Sequence, residues 1–165
     1  MNTTTDAAPC ALGKTDALPP DFHPQVGIVL GSGLGQFTDG LEIVARASYA
    51  DIPGMPVSAV PGHAGELIYA LVGGQPWAIL RGRVHLYEGR ATKEVTAGVR
   101  LLSALGCQTV VLTNAAGTLN PAHPPGTWMQ LSDHLNLTGT TPLLGGPNFV
   151  DMSAVYDPAL RAEFQ

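Results

Sequence analysis

Two short runs of apolar residues, Val26–Leu30 and Thr109–Leu112, pass without a polar interval into loops of small residues. The first loop is Gly31-Ser32-Gly33-Leu34-Gly35 and the second is Thr113-Asn114-Ala115-Ala116-Gly117. A strand that is apolar at consecutive positions has no solvent face, so it must be covered on both sides, as in parallel sheets wrapped by helices. From Thr92 to Leu105, the residues Val95, Val99, Leu102 and Leu105 are spaced as one helical face, with Thr92 placed to cap the helix and Gly106 to end it. Glu66–Val72 and Pro76 to Leu80 flank Gly73-Gly74, which predicts an antiparallel hairpin. A strand is also expected near Thr127 to Leu131, and Asp157-Pro158 should open a helix. That helical pattern, Leu160 to Phe164, has barely begun at Gln165, so a continuation is expected. The alternation of helix and strand predicts an α/β fold with a mixed, partly parallel sheet and flanking helices.

The 165 residues are enough for one domain, read as residues 25–165 behind a loosely ordered tail, residues 1–24, with a short helix near Thr15 to Leu18. With 45% hydrophobic and 13% charged residues the composition is too apolar for a disordered chain. A formal charge of −5 offers no general attraction to nucleic acid or anionic membrane, so any bound anion must be held locally. Cys10 and Cys107 have no partners at zinc spacing and suggest neither a metal site nor a disulfide framework. The N-terminus lacks the basic start and apolar run of a signal peptide, and no stretch reaches the ~18 apolar residues of a membrane span. A cytoplasmic location is expected.

Four segments could carry chemistry. The Gly31 to Gly35 loop leaves backbone N–H groups uncovered by side chains, and with the Ser32 hydroxyl it could cradle an anion. It reads equally as a tight turn that needs glycine. Its spacing is not GxGxxG and no Lys-Ser/Thr pair follows, which counts against dinucleotide and nucleoside triphosphate sites. His63, between Gly62 and Gly65, can reach a site unhindered or be an ordinary loop histidine. The densest charge lies in Arg81-Gly82-Arg83-Val84-His85-Leu86-Tyr87-Glu88-Gly89 and the following Arg90. If extended, this segment points Arg83, His85 and Tyr87 to one face, offering guanidinium, imidazole and phenol together. Arginine matches phosphate with two charge-assisted hydrogen bonds, histidine adds a donor, and tyrosine can reach sugar hydroxyls. The competing reading is a solvated edge strand. Thr113 to Gly117 lies beyond the carboxyl end of an expected parallel strand, where open α/β sheets place ligands, although Asn114 also suits a plain strand-end turn. His123 and His134 have no such context.

Gly-Ser-Gly-Leu-Gly, Val-Pro-Gly-His-Ala-Gly, Gly-Arg-Val-His-Leu-Tyr-Glu-Gly and Thr-Asn-Ala-Ala-Gly, in that order, resemble the purine nucleoside phosphorylase family, of the trimeric low-molecular-mass class. Asp133-His134-Leu135-Asn136 and the stretch from Met152 to Asp157 resemble it as well. The resemblance implies phosphorolysis of purine nucleosides or deoxynucleosides to the free base and the sugar 1-phosphate, in purine salvage, with inorganic phosphate as co-substrate and no cofactor or metal. It also implies a phosphate site of Ser32, His63, Arg83, Val84, His85 and the Ala115 backbone, with His85 catalytic. Tyr87 would contact ribose, and Phe149 would do so across a homotrimer interface. The family continues past this endpoint with the Glu and Asn that contact the purine and another phosphate-binding Ser, so no base-binding residue is assigned. The alternatives are a methylthioadenosine phosphorylase of the same superfamily, against which the Tyr87-Glu88 and Asn114 to Gly117 wording counts, and a non-catalytic anion-binding or assembly fragment.

Overall fold

Five strands form one mixed sheet: β1 (Val26–Leu30), β2 (Glu42–Ser48), β3 (Glu66–Val72), β4 (Gln75–Arg81) and β5 (Thr109–Leu112), in the order β2-β3-β4-β1-β5. β1 lies parallel to both β4 and β5, whereas β3 is antiparallel to β2 and β4. The structure, a computed structural model, describes residues 19–58 and 65–164. The helix expected near Thr15 to Leu18 and the candidate His63 lie outside those residues. The chain divides into two compact units, one up to Ala115 and one from Ala116.

In the first unit the central strands β1, β3 and β4 are largely buried on both faces, as the apolar runs predict, but β5, expected to be buried as well, is an edge strand that is only half-buried, with Leu112 62% exposed. Val29, Leu67, Tyr69, Ala78 and Leu80 face the helices, while Ile28, Leu30, Ile68, Ala70 and Ile79 form the opposite face. Each fully buried Leu or Ile contributes about 1.5–3 kcal/mol. Gly73 and Gly74 both have positive φ (58° and 78°), as a two-residue turn matching the sheet's twist requires. Within the segment read as tail, Phe22 and Pro24 are buried, the Phe22 ring standing edge-on to Tyr69 at 5.6 Å.

The expected helix is two: α1 (Thr92–Val95) and α2 (Ala97–Ala104). Ala91, not Thr92, is the N-cap of α1, and the Glu94 carboxylate reaches back to its N–H at 2.9 Å. The break is at Thr96, whose backbone (φ −92°, ψ 2°) departs from helical values and whose hydroxyl donates to the Thr92 carbonyl. The buried face of α2 is therefore Ala97, Leu101 and Leu102, continued by Leu105, while Val99 is 39% exposed. Gly106 does end the helix: its N–H bonds Ser103 and that of Cys107 bonds Leu102, the pairing of a Schellman stop. Close packing of α2 on the sheet depends on glycine, because a Cβ at Gly27 would meet Leu102 at 2.8 Å and one at Gly98 would meet Leu80 at 2.8 Å.

In the second unit Asp157 caps α3 (Pro158–Glu163) as expected, accepting from Ala159 and Leu160 N–H at 2.8 and 3.0 Å. The strand expected near Thr127 to Leu131 does not form. An extended segment becomes a strand only by pairing, and no ladder includes these residues among those described. Trp128, Leu135, Leu137 and Phe149 are all strongly exposed.

Candidate functional site

Parallel pairing of β1 with β4 and β5 brings three strand ends to one edge of the sheet, with Leu30 opposite Arg81 and Val29 opposite Leu112. The loops that follow must meet there. Gly31 N–H donates to Thr113 Oγ1 at 2.8 Å, and the Thr113 hydroxyl donates to the Val29 carbonyl at 2.9 Å. Contact is so close that a Cβ at Gly31 would lie 2.7 Å from the Thr113 carbonyl oxygen. Arg83 completes the junction, its Nη1 donating to that same oxygen at 2.5 Å. Arg83 and Thr113 also line a cavity of about 330 Å³ whose wall is mostly apolar, with Val29 and Leu80 from the sheet and Glu94 and Val99 from the helical side.

The segment from Arg81 to Glu88 is not extended throughout, which corrects the expected alternation of Arg83, His85 and Tyr87. β4 ends at Arg81, and Leu86–Glu88 forms a single 3₁₀ turn. The cause is Glu88, whose Oε1 accepts the His85 N–H at 2.7 Å, and Gly89, whose φ of 76° closes the turn. The His85 and Tyr87 rings still share a side, stacked at 4.8 Å and 13°, but Arg83 turns away toward Thr113. Val84 is buried at 3% exposure, so only its backbone is available to an anion. Ser32 and Ala115 are exposed, each within two residues of the Gly31–Thr113 contact. Tyr87 is 74% exposed. Phe149 belongs to the second unit and is also exposed.

Two supports were not anticipated from sequence. Tyr49 is buried and donates its hydroxyl to the Gly82 carbonyl at 2.8 Å, directly before Arg83. Burial, reinforced by the Glu66 charge, raises its phenol far above the ordinary value, so it is a fixed neutral donor. Glu88 was visible in the motif but not as an organiser. Desolvation opposes its charge, yet hydrogen bonds from His85 N–H and the Ser58 hydroxyl, with the His85 and Arg90 charges, hold its carboxyl below the usual value. Among the described residues no three His, Cys, Asp or Glu side chains gather as a metal set. No helix there is long and apolar enough to cross a membrane.

A family model described as the phosphorylase superfamily matches residues 25–165. "Purine nucleoside phosphorylase 1" of Geobacillus stearothermophilus is 44% identical over 144 residues, which is 84% of this chain and 53% of that protein. "Purine nucleoside phosphorylase" of Mus musculus is 41% identical over 150 residues, 86% of this chain and 52% of the mouse protein. The chain thus spans about half the length of the curated relatives it matches. Among solved structures, the purine nucleoside phosphorylase of Schistosoma mansoni in complex with acetate aligns with a TM-score of 0.76 and 33% identity, over 86% of this chain and 55% of that one.

Proposed function

The chain belongs to the phosphorylase superfamily, and from that premise we propose that it carries the phosphate and ribose half of a purine nucleoside phosphorylase site. The observation that carries this reading is the junction of Gly31, Arg83 and Thr113 at the carboxyl edge of three strands. In this reading Ser32, His63, Arg83, His85 and the backbone at Val84 and Ala115 hold phosphate. Tyr87 holds ribose, and Phe149 does so from a neighbouring subunit of a homotrimer. A phosphate oxygen bonds to the anomeric carbon while the glycosidic bond breaks, and the purine leaves with the bonding electron pair. The protein's task is to fix a dianion beneath developing positive charge, which rests on orientation and preset dipoles and requires no organic cofactor. A cytoplasmic setting accords with this salvage role. The names of the matched relatives favour this reading over a methylthioadenosine phosphorylase.

Titration of the chain with inorganic phosphate, followed by calorimetry, tests the site. Loss of a charge-assisted bidentate contact costs about 2–3 kcal/mol, so Arg83→Met should weaken phosphate about 30- to 150-fold. Unchanged affinity would overturn the assignment.

A further inference from the structure

Thr113 follows β5 directly, and each polar group it carries is bonded to β1 or to a loop beyond β1 or β4. Its N–H and its hydroxyl both donate to the Val29 carbonyl, at 3.1 and 2.9 Å. A hydroxyl has one proton to give, so the Gly31 N–H, 2.8 Å away, is accepted on an Oγ1 lone pair. The Thr113 carbonyl takes Arg83 Nη1 at 2.5 Å. That carbonyl is neutral, so it orients the guanidinium without cancelling its charge. Arg46, Arg81 and Arg90 each lie within 3.5 Å of a glutamate carboxylate, whereas Arg83 makes no ion pair among the described residues.

We infer that Thr113 is a positioning residue for the phosphate site, its hydroxyl fixing the Gly31-Ser32 loop beside the Arg83 guanidinium that its carbonyl holds. This rests on the phosphate reading above. With its proton on Val29 and a lone pair on Gly31, the hydroxyl sets the spacing of Ser32 and Arg83 and does not itself bind the anion. Its two features can be separated by substitution. Serine keeps the hydroxyl and loses the methyl, whereas valine keeps the branched shape and leaves the Gly31 N–H without its acceptor. Small displacements of positioning groups are amplified in the function they support.

The test compares inorganic phosphate affinity and thermal midpoint in the full 165-residue chain for Thr113→Val, Thr113→Ser, Arg83→Met and Ile68→Val. Ile68 serves as the stability control, because it is buried in β3, which β4 and β1 separate from β5, and its shortening lowers the midpoint without touching the junction. Thr113→Val should weaken phosphate about tenfold, Thr113→Ser less than about twofold, and Ile68→Val not at all. Equal losses in the valine and serine variants would assign the effect to the methyl, and a loss in Ile68→Val would assign it to stability; either overturns the inference. If Arg83→Met weakens phosphate and Thr113→Val does not, the positioning role fails while the site stands. Amide hydrogen exchange in the unaltered chain gives a reading independent of any variant's folding. Because bound phosphate needs the junction closed, adding it at about ten times its Kd should slow exchange of the Gly31 N–H about tenfold. An unchanged rate would overturn the inference. If the chain does not take up phosphate, or Arg83→Met has no effect, the site reading fails and this inference with it.

Discussion

Replacing Gly31 by alanine puts a methyl 2.7 Å from the Thr113 carbonyl oxygen and 2.9 Å from the Asn114 Cα. Both obstacles are backbone, so neither can swing aside as the end of a side chain would. Reaching ordinary contact requires the two loops to part by about 0.7 Å, which stretches the 2.8 Å bond from Gly31 N–H to Thr113 Oγ1 beyond useful length. Overpacking of this kind costs about 1–3 kcal/mol and the lost hydrogen bond about 1 kcal/mol. The stiffer unfolded chain of an alanine variant returns about 0.4–1 kcal/mol, leaving a net loss on the order of 1–3 kcal/mol. Urea unfolding read by Trp77 fluorescence measures it, in a Trp128→Phe background because the protein's two tryptophans lie one in each unit. Gly35→Ala is the matched comparison. The nearest neighbour of its Cβ would be the Arg81 guanidinium at 3.4 Å, a flexible group, so its loss should stay within about 0.5 kcal/mol. Equal midpoints for the two variants, with equal denaturant slopes, would refute the argument that backbone contact at Gly31 holds the junction together.

Tyr49→Phe removes the donor to the Gly82 carbonyl and should cost about 1–2 kcal/mol in the same unfolding assay, with weaker phosphate binding because Arg83 follows Gly82. No change in either would show that the hydroxyl does not set the Arg83 loop. Glu88 and Glu94 have folded-state carboxyls held below their ordinary value of 4.5, so the unfolded chain binds more protons in acid. Their stabilisation should be complete above that value and disappear as pH falls through the lowered folded values; a Glu88→Gln, Glu94→Gln double variant should show a shallower pH dependence of the urea midpoint below about 4.5. An unaltered slope would remove these carboxylates from the account.

Strands β1, β3, β4 and β5 were legible from their consecutive apolar residues, although β5, at the sheet edge, is only half-buried. β2 was not. Its Glu42, Val44, Arg46 and Ser48 are exposed in strict alternation, but one of those exposed positions is a valine, the inward Ala45 and Ala47 are small, and a bulge shifts the pairing between Ile43 and Ala45, so hydrophobicity does not mark the buried face. The helix face was misjudged for a physical reason as well. Val95 and Val99 suggest a continuous stripe only if the helix runs evenly through Thr96, where the backbone departs from helical angles. At the site, the residue types near Arg83 were readable from the sequence, but their direction was not. Nothing local to Arg83 announces that its partner is a carbonyl thirty residues away, and the Glu88 bond that ends the extended run competes silently with alternation.

What brings Gly31, Arg83 and Thr113 together is strand order, not proximity in sequence. β1 sits between β4 and β5 and is parallel to both, so the three carboxyl ends must open on one edge. The register fixes the rest. Side chains alternate faces along a strand, and Thr113 follows Leu112, which stands opposite Val29. A slip of one residue between β5 and β1 would carry Val110 away from the helical face and Val111 onto it, exchanging the two cores. The same slip would take the Thr113 hydroxyl away from Gly31 N–H and its carbonyl away from Arg83. Packing of the partly buried Val110 and Val111 against the two unlike cores therefore holds the residues of the proposed anion site in place.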